Sequence, residues 1–228
     1  MKRDGLNVVL VHGAWGDGSG WRAVIDALQA DGVNVVAAPL PLTSFADDVA
    51  ALDRTLERLT GPVVLVAHAY AGAVIAATRD AKVESLVYVA ALAPDEGETV
   101  GDVFGRAPPH PAAPALAPDA HGWLWLPRAA FATAYAQNAT PAEHAWLAAV
   151  QRPLAAVCIG APVGRPLWRD RPSWYLLAEE DRMIAPATQR FMAERMGARI
   201  RSQRVDHTPS VTAPDAVVAI VREAIASR

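Results

Sequence analysis

The chain alternates between short β-branched runs and segments with apolar residues at helical spacing. Residues 7–12 (NVVLVH) read as a strand, and 19–28 follow with Trp21, Val24, Ile25 and Leu28 on one helical face. Residues 34–38 (NVVAA) repeat the strand signal. Ser44, with Asp47 three positions on, then reads as the cap of a helix running to about Leu59. A third strand is predicted over 62–67 (PVVLVA), a helix over 72–78 and a fourth strand over 83–91 (VESLVYVAA). The rhythm resumes with strands at 174–178 and 199–205 and helices at 187–196 and 214–226. Near-continuous Val and Leu runs mean strands covered on both faces, and strand–helix–strand order means a parallel sheet. The expected fold class is α/β, with a mainly parallel central sheet of about six strands and helices on both faces.

Between Pro94 and Pro172 the pattern changes. This stretch holds 12 of the 18 prolines and four of the seven tryptophans (Trp123, Trp125, Trp146, Trp168). Helical spacing recurs around 128–137 and 142–151, with no convincing strand, so 94–172 reads as an inserted helical cap. The division expected is one domain over 1–228, with a core of 1–93 and 173–228. At 228 residues the chain can bury a full core without staples.

Composition narrows the function classes. Net charge is −3 and the pI about 6.1, so there is no basic footprint for nucleic acid and no pull toward an anionic membrane. The single cysteine, Cys158, permits no internal disulfide and sits in an apolar run, as a buried inert thiol would. The opening Met-Lys-Arg-Asp leads into an apolar run too short for a signal peptide, and no segment approaches the ~18 apolar residues of a membrane span. A cytoplasmic protein acting on a small molecule is expected; a homodimer is compatible with this.

Three places carry chemistry, each just past the carboxyl end of a predicted strand, where open parallel sheets hold ligands. His12-Gly13-Ala14-Trp15 can turn sharply and aim an N–H into a cleft, one half of an oxyanion hole. Ala67-His68-Ala69-Tyr70-Ala71-Gly72 lies between strand and helix, where a nucleophile elbow reads G-x-S-x-G. The small residues are present and the hydroxyl is not. Asp181 and His207, 26 positions apart, follow the last two strands and make an acid–base pair. Glu180 or Asp206 is the fallback acid. His12 and His68 read as structural, with His68 pointing away from the Ala69 side chain. His110, His121 and His144 fit no metal-ligand spacing, and no G-x-G-x-x-G or P-loop stands in context, so no cofactor and no metal are expected. Ser210 and Thr43 read as lead-ins to helices. The cap tryptophans read as core more often than as substrate contacts; Trp15, Trp123 and Trp125, if near a mouth, would make an apolar pocket that tolerates aromatic groups.

Val11-His12-Gly13-Ala14-Trp15 with Gly20-Trp21, and AHAYAG where relatives read approximately GHSYGG, resemble the α/β-hydrolase fold, in its small hydroxynitrile-lyase and methylesterase branch. The resemblance covers essentially the whole chain, which starts at what is usually the third strand of that fold. It implies Ala69 in the nucleophile's seat, His207 as base, Asp181 as its orienting acid and the N–H groups of Ala14 and Tyr70 as oxyanion donors, under a helical cap. Loss of a triad nucleophile costs about six decades in kcat. Two origins of Ala69 stand: a serine replaced deliberately to trap a ligand, or a natural loss. The altered glycine positions, Ala67 and Ala71, favour the second. The function expected is hydrolase-type chemistry on a small apolar ester or carbonyl compound. The alternatives are a lyase, cyclase or decarboxylase using His207 as acid/base, and a catalytically dead ligand-binding protein. Retention of both His207 and Asp181 speaks against the last.

Overall fold

The computed structural model describes residues 5–227; the opening Met-Lys-Arg-Asp lies outside them. Six strands form one sheet: β1 (Asn7–Val11), β2 (Asn34–Ala38), β3 (Val63–His68), β4 (Val83–Val89), β7 (Ser173–Ala178) and β8 (Arg199–Gln203). Their spatial order is β2-β1-β3-β4-β7-β8, and every pairing is parallel. The sheet has the number, direction and positions of strands that the hydrophobic runs predict.

Alternate residues of the central strands feed two cores. Val8 and Leu10 of β1, with Val64 and Val66 of β3, face α1 (Arg22–Ala30) and α8 (Pro214–Ala226). Val9, Val11, Leu65 and Ala67 face α2 (Phe45–Glu57), α3 (Ala71–Ala77) and α7 (Pro186–Arg195). Residues buried on both faces explain why these strands read as unbroken apolar runs. Ser44 caps α2 by accepting the Asp47 N–H, as its sequence predicts. The first predicted helix differs in its opening, a 3₁₀ turn over Gly18–Trp21 that Asp17 caps.

The segment between β4 and β7 holds α4 (Val100–Phe104), β5 (Trp123–Leu124), a π-helical turn (Phe131–Tyr135), α5 (Pro141–Ala149), β6 (Leu154–Ala155) and α6 (Val157–Gly160). The expectation of no strand here is wrong. β5 and β6 pair antiparallel, Trp123 with Ala155 and Leu124 with Leu154. Two residues per strand are too few to produce a periodic signal. The helix predicted over 128–137 is the π turn alone. Arg195 of α7 grips the start of the segment, with both guanidinium arms on Glu98 (2.8 and 2.9 Å) and one on the Ala93 carbonyl (2.8 Å).

Two histidines sit in buried positions at the carboxyl ends of neighbouring strands. The Leu40 N–H donates to His12 Nε2 (3.1 Å), so the ring proton is on Nδ1 and is donated to the Gly13 carbonyl (3.0 Å). His68 Nε2 donates to the His207 carbonyl (2.7 Å). Burial is the main cause holding both rings below their ordinary pKa, His68 down to about 3, where the His207 ring adds to the effect. Their folded pKa values lie below the unfolded value of 6.5, so the stability they contribute is complete above that pH. It is lost as pH falls from 6.5, for His68 until about pH 3. Urea unfolding should therefore show a native chain losing about 2 kcal/mol through His68 between pH 7 and pH 5. A His68→Gln variant, which keeps an N–H for the His207 carbonyl, should flatten that slope by about one proton; equal slopes would contradict the buried neutral ring.

Candidate active site

The site forms where the loops after β1, β3, β7 and β8 meet. Ala69 has φ +50°, in the left-handed region, so the sharp elbow is present with alanine at its apex. Its carbonyl accepts two N–H groups, from Leu92 (2.9 Å) and Gly72 (3.1 Å). A peptide unit is planar and trans, so fixing the Ala69 carbonyl fixes the opposed Tyr70 N–H as well. Among the described residues, neither that N–H nor the one of Ala14 has a protein acceptor.

Two glycines make this packing possible. A Cβ on Gly72 would lie 2.3 Å from the Leu92 carbonyl oxygen, and one on Gly13 would lie 2.9 Å from both the Ala69 Cβ and the His68 carbonyl oxygen. The His12-Gly13 turn thus lies directly against the elbow. Ala67 and Ala71, where the motif has glycine, are fully buried without such a conflict.

Asp181 and His207 come together as the sequence order suggests. His207 Nδ1 donates to Asp181 Oδ2 (2.8 Å), and Gln189 Nε2 donates to the same oxygen (2.7 Å). The other carboxylate oxygen accepts the N–H groups of Met183 (2.7 Å) and Ile184 (2.8 Å). With four donors on its carboxylate, Asp181 fixes the His207 proton on Nδ1 and leaves Nε2 with its lone pair free. His207 is buried, at 2% exposure, and its Nε2 has no protein partner among the described residues.

His207, Ala69, Ala14, Trp15 and Tyr70 line one cavity of about 80 Å³, completed by apolar side chains that include Leu92, Val100, Leu124, Leu154, Met183 and Ile184. Of the residues read as nucleophile seat, base, acid and oxyanion turn, Ala69, His207, Ala14, Trp15 and Tyr70 line the cavity and Asp181 stands behind His207. No serine, threonine or cysteine is among the lining residues. Ser210 lies elsewhere, beside His12 and His68. Cys158 is buried, and its thiol is pushed up to about 12, by burial first and by Asp48 second.

The fallback acids are engaged away from His207. The Asp206 carboxylate accepts the N–H groups of Thr208 and Asn138 and the Thr212 hydroxyl. Glu180 pairs with Arg204 at the surface, and Glu179 with Ser202. Of the three tryptophans that could have made a pocket mouth, one reaches the cavity. Trp15 lines the cavity, whereas Trp123 and Trp125 do not; Leu124 between them does. Trp125 is 50% exposed and donates its indole N–H to Asp119. Strand alternation at β5 turns the leucine inward and its neighbours away.

Three contributors escape a reading of the sequence. Gln189 is fully buried on α7 and holds Asp181 against the Ala178 N–H, which its own carbonyl oxygen accepts (3.1 Å). Its only signal is a polar residue at a buried helical position. Asp48, also buried, accepts the Tyr70 phenol (2.7 Å) and the Leu42 N–H (2.7 Å), and burial raises its pKa. Tyr135 of the π turn covers the back of the site, its ring centroid 5.5 Å from that of His207 and its hydroxyl donating to the Ala14 carbonyl (3.3 Å). The β5–β6 ribbon is held by two core residues with positive φ: the Trp15 indole (φ +60°) donates to the Leu124 carbonyl, and the Leu42 carbonyl (φ +61°) accepts the Ala155 N–H, each at 2.9 Å.

Among the described residues no group of three or more His, Cys, Asp or Glu side chains could hold a metal, and no helix is long and apolar enough to cross a membrane.

No curated protein matches the sequence. Solved structures match the fold. Polyneuridine aldehyde esterase superposes with a TM-score of 0.82 at 17% identity, covering 96% of this chain and 98% of that one. A pyrethroid hydrolase from Sphingobium faniae JZ-2 gives 0.79 at 22% identity, with 96% of each chain covered. Methylesterase MES16 from Arabidopsis gives 0.79 at 16% identity, over 98% of this chain and all of the other. At these identities the likeness is one of fold. A family model described as the alpha/beta hydrolase family matches residues 8–220. By that match over nearly its whole length, and with the parallel sheet and left-handed elbow of the fold, this chain belongs to the alpha/beta hydrolase family.

Proposed function

We propose that the chain hydrolyses small, largely apolar esters or related carbonyl compounds, with His207 as general base. The observation that carries this reading is the unpaired Nε2 of a buried histidine facing an apolar cavity over Ala69. The substrate carbonyl oxygen rests against the Ala14 and Tyr70 N–H groups. A water molecule takes the space over the Ala69 methyl that a serine hydroxyl would fill. His207 removes a proton from this water as its oxygen attacks the carbonyl carbon. Asp181 stabilises the imidazolium, and the two N–H groups stabilise the negative oxygen of the tetrahedral intermediate. Collapse expels the alcohol oxygen, and His207 returns the proton to it. The reaction needs no cofactor and no second chain. The names of the structural neighbours, esterases and a hydrolase, support ester chemistry.

The missing hydroxyl favours a second reading, in which His207 removes a proton from carbon next to a carbonyl and the same N–H groups hold the enolate. Replacement of Ala69 separates the two. On short-chain p-nitrophenyl esters the native chain should release product slowly and without a burst. Ala69→Ser should raise turnover by roughly a thousandfold or more, with a burst of one equivalent from an acyl-enzyme. His207→Ala should lower turnover of both proteins by roughly a hundredfold or more, to what the two N–H groups alone sustain. No ester turnover in the native chain and no gain from serine would overturn the hydrolytic reading and leave proton transfer.

Gln189 supplies a second check. Gln189→Leu removes one charge-assisted hydrogen bond from Asp181 and should lower kcat about tenfold or more with KM little changed. An unaltered kcat would detach Gln189 from the chemistry.

A further inference from the structure

The cavity is graded from inside to outside. Ala14, Ala69, His207, Met183 and Ile184 are buried, whereas Gly101, Leu116 and Ile159 are half-buried and Phe104 is 41% exposed. The exposed end lies between α4, which supplies Val100, Gly101 and Phe104, and α6, which supplies Ile159. Gly101 is out of place by backbone criteria alone. It is the second residue of α4 and its φ is not in the left-handed region, so no turn or cap there requires glycine. A Cβ there would lie 3.4 Å from the Ile159 carbonyl oxygen and 3.5 Å from the Thr99 hydroxyl oxygen, both ordinary contacts, so alanine fits, and a larger side chain at this cavity-lining position would take up space at the α4–α6 end.

We propose that Gly101 determines specificity by keeping this gap open, and that the substrate carries an extended apolar arm that runs from the carbonyl at Ala69 out between α4 and α6. The inference rests on the carbonyl-binding reading above and names the kind of substrate that reading leaves open. An arm so placed lies against Val100, Phe104, Leu116 and Ile159, with no ionisable group beside it. A charged or strongly polar arm would lose its hydration without gaining a partner.

Linear methyl ketones test this without turnover, since they present a carbonyl and cannot be hydrolysed. Isothermal titration of the native chain with butanone through 2-undecanone should show Kd falling about fourfold per added methylene, from ~0.8 kcal/mol per buried CH₂, and levelling once the chain reaches solvent. Gly101→Val should bind butanone within about twofold of the native chain and lose tenfold or more for the long ketones. Gly101→Ala should be intermediate, with a thermal midpoint no lower than native, which separates a blocked gap from a damaged fold. Affinity independent of chain length, no ketone binding, or an equal loss for short and long ketones in Gly101→Val would overturn the proposal. Length-dependent binding in a chain that hydrolyses no ester, with or without Ala69→Ser, would remove the hydrolytic reading and leave the arm in place. Ester hydrolysis without any length dependence in ketone binding would do the reverse.

Discussion

One peptide plane organises this site. The Ala69 carbonyl is held from two sides, by the Leu92 N–H after β4 and by the Gly72 N–H at the start of α3. The plane cannot rotate without breaking both bonds, so the Tyr70 N–H is aimed before any ligand arrives. Glycine is needed at 72 because the Leu92 carbonyl passes through the space a side chain would occupy. The strain of a left-handed alanine, of order 1–3 kcal/mol, persists because the surroundings over-determine the turn. Alanine has no side-chain oxygen to present, so what the turn retains is the direction of a backbone donor.

The histidine is prepared in the same way, by removing its choices. Asp181 accepts the hydrogen bond of the Nδ1–H, and its other acceptor positions are occupied by Gln189, Met183 and Ile184. From below, His68 holds the backbone carbonyl of His207, with the two ring centroids 4.7 Å apart. A second imidazolium at that distance would oppose protonation of His207; burial keeps His68 neutral and removes the conflict. The ring beneath His207 thus adds no charge of its own.

The order of strands and the loops that end them were legible because each rests on a local signal. Continuous Val and Leu runs mark doubly covered strands, and Asp181 and His207 follow two of them in the order of the fold. The sharp turn at Ala69 was legible because its neighbours are small. What stayed hidden depends on distant segments meeting. Gln189 and Asp48 are ordinary polar residues of helices until the fold places one against a carboxylate and the other against a phenol. Leu124 displaced Trp123 and Trp125 from the cavity wall because a two-residue strand, invisible to periodicity, decides which side chain turns inward. Asp206, adjacent to His207 in sequence, was a reasonable acid on paper; in space its oxygens tie down Thr208, Asn138 and Thr212.

The ribbon formed by β5 and β6 is held to the core by Trp15 and Leu42, one bond to each strand, and both residues are left-handed. Such backbone conformations cost of order 1–3 kcal/mol for a residue with a side chain. Lifting the ribbon would break both of these bonds together and would carry away Leu124 and Leu154, which close the cavity on this side. One bond to each strand thus sets where a stretch of the cavity wall stands relative to the core.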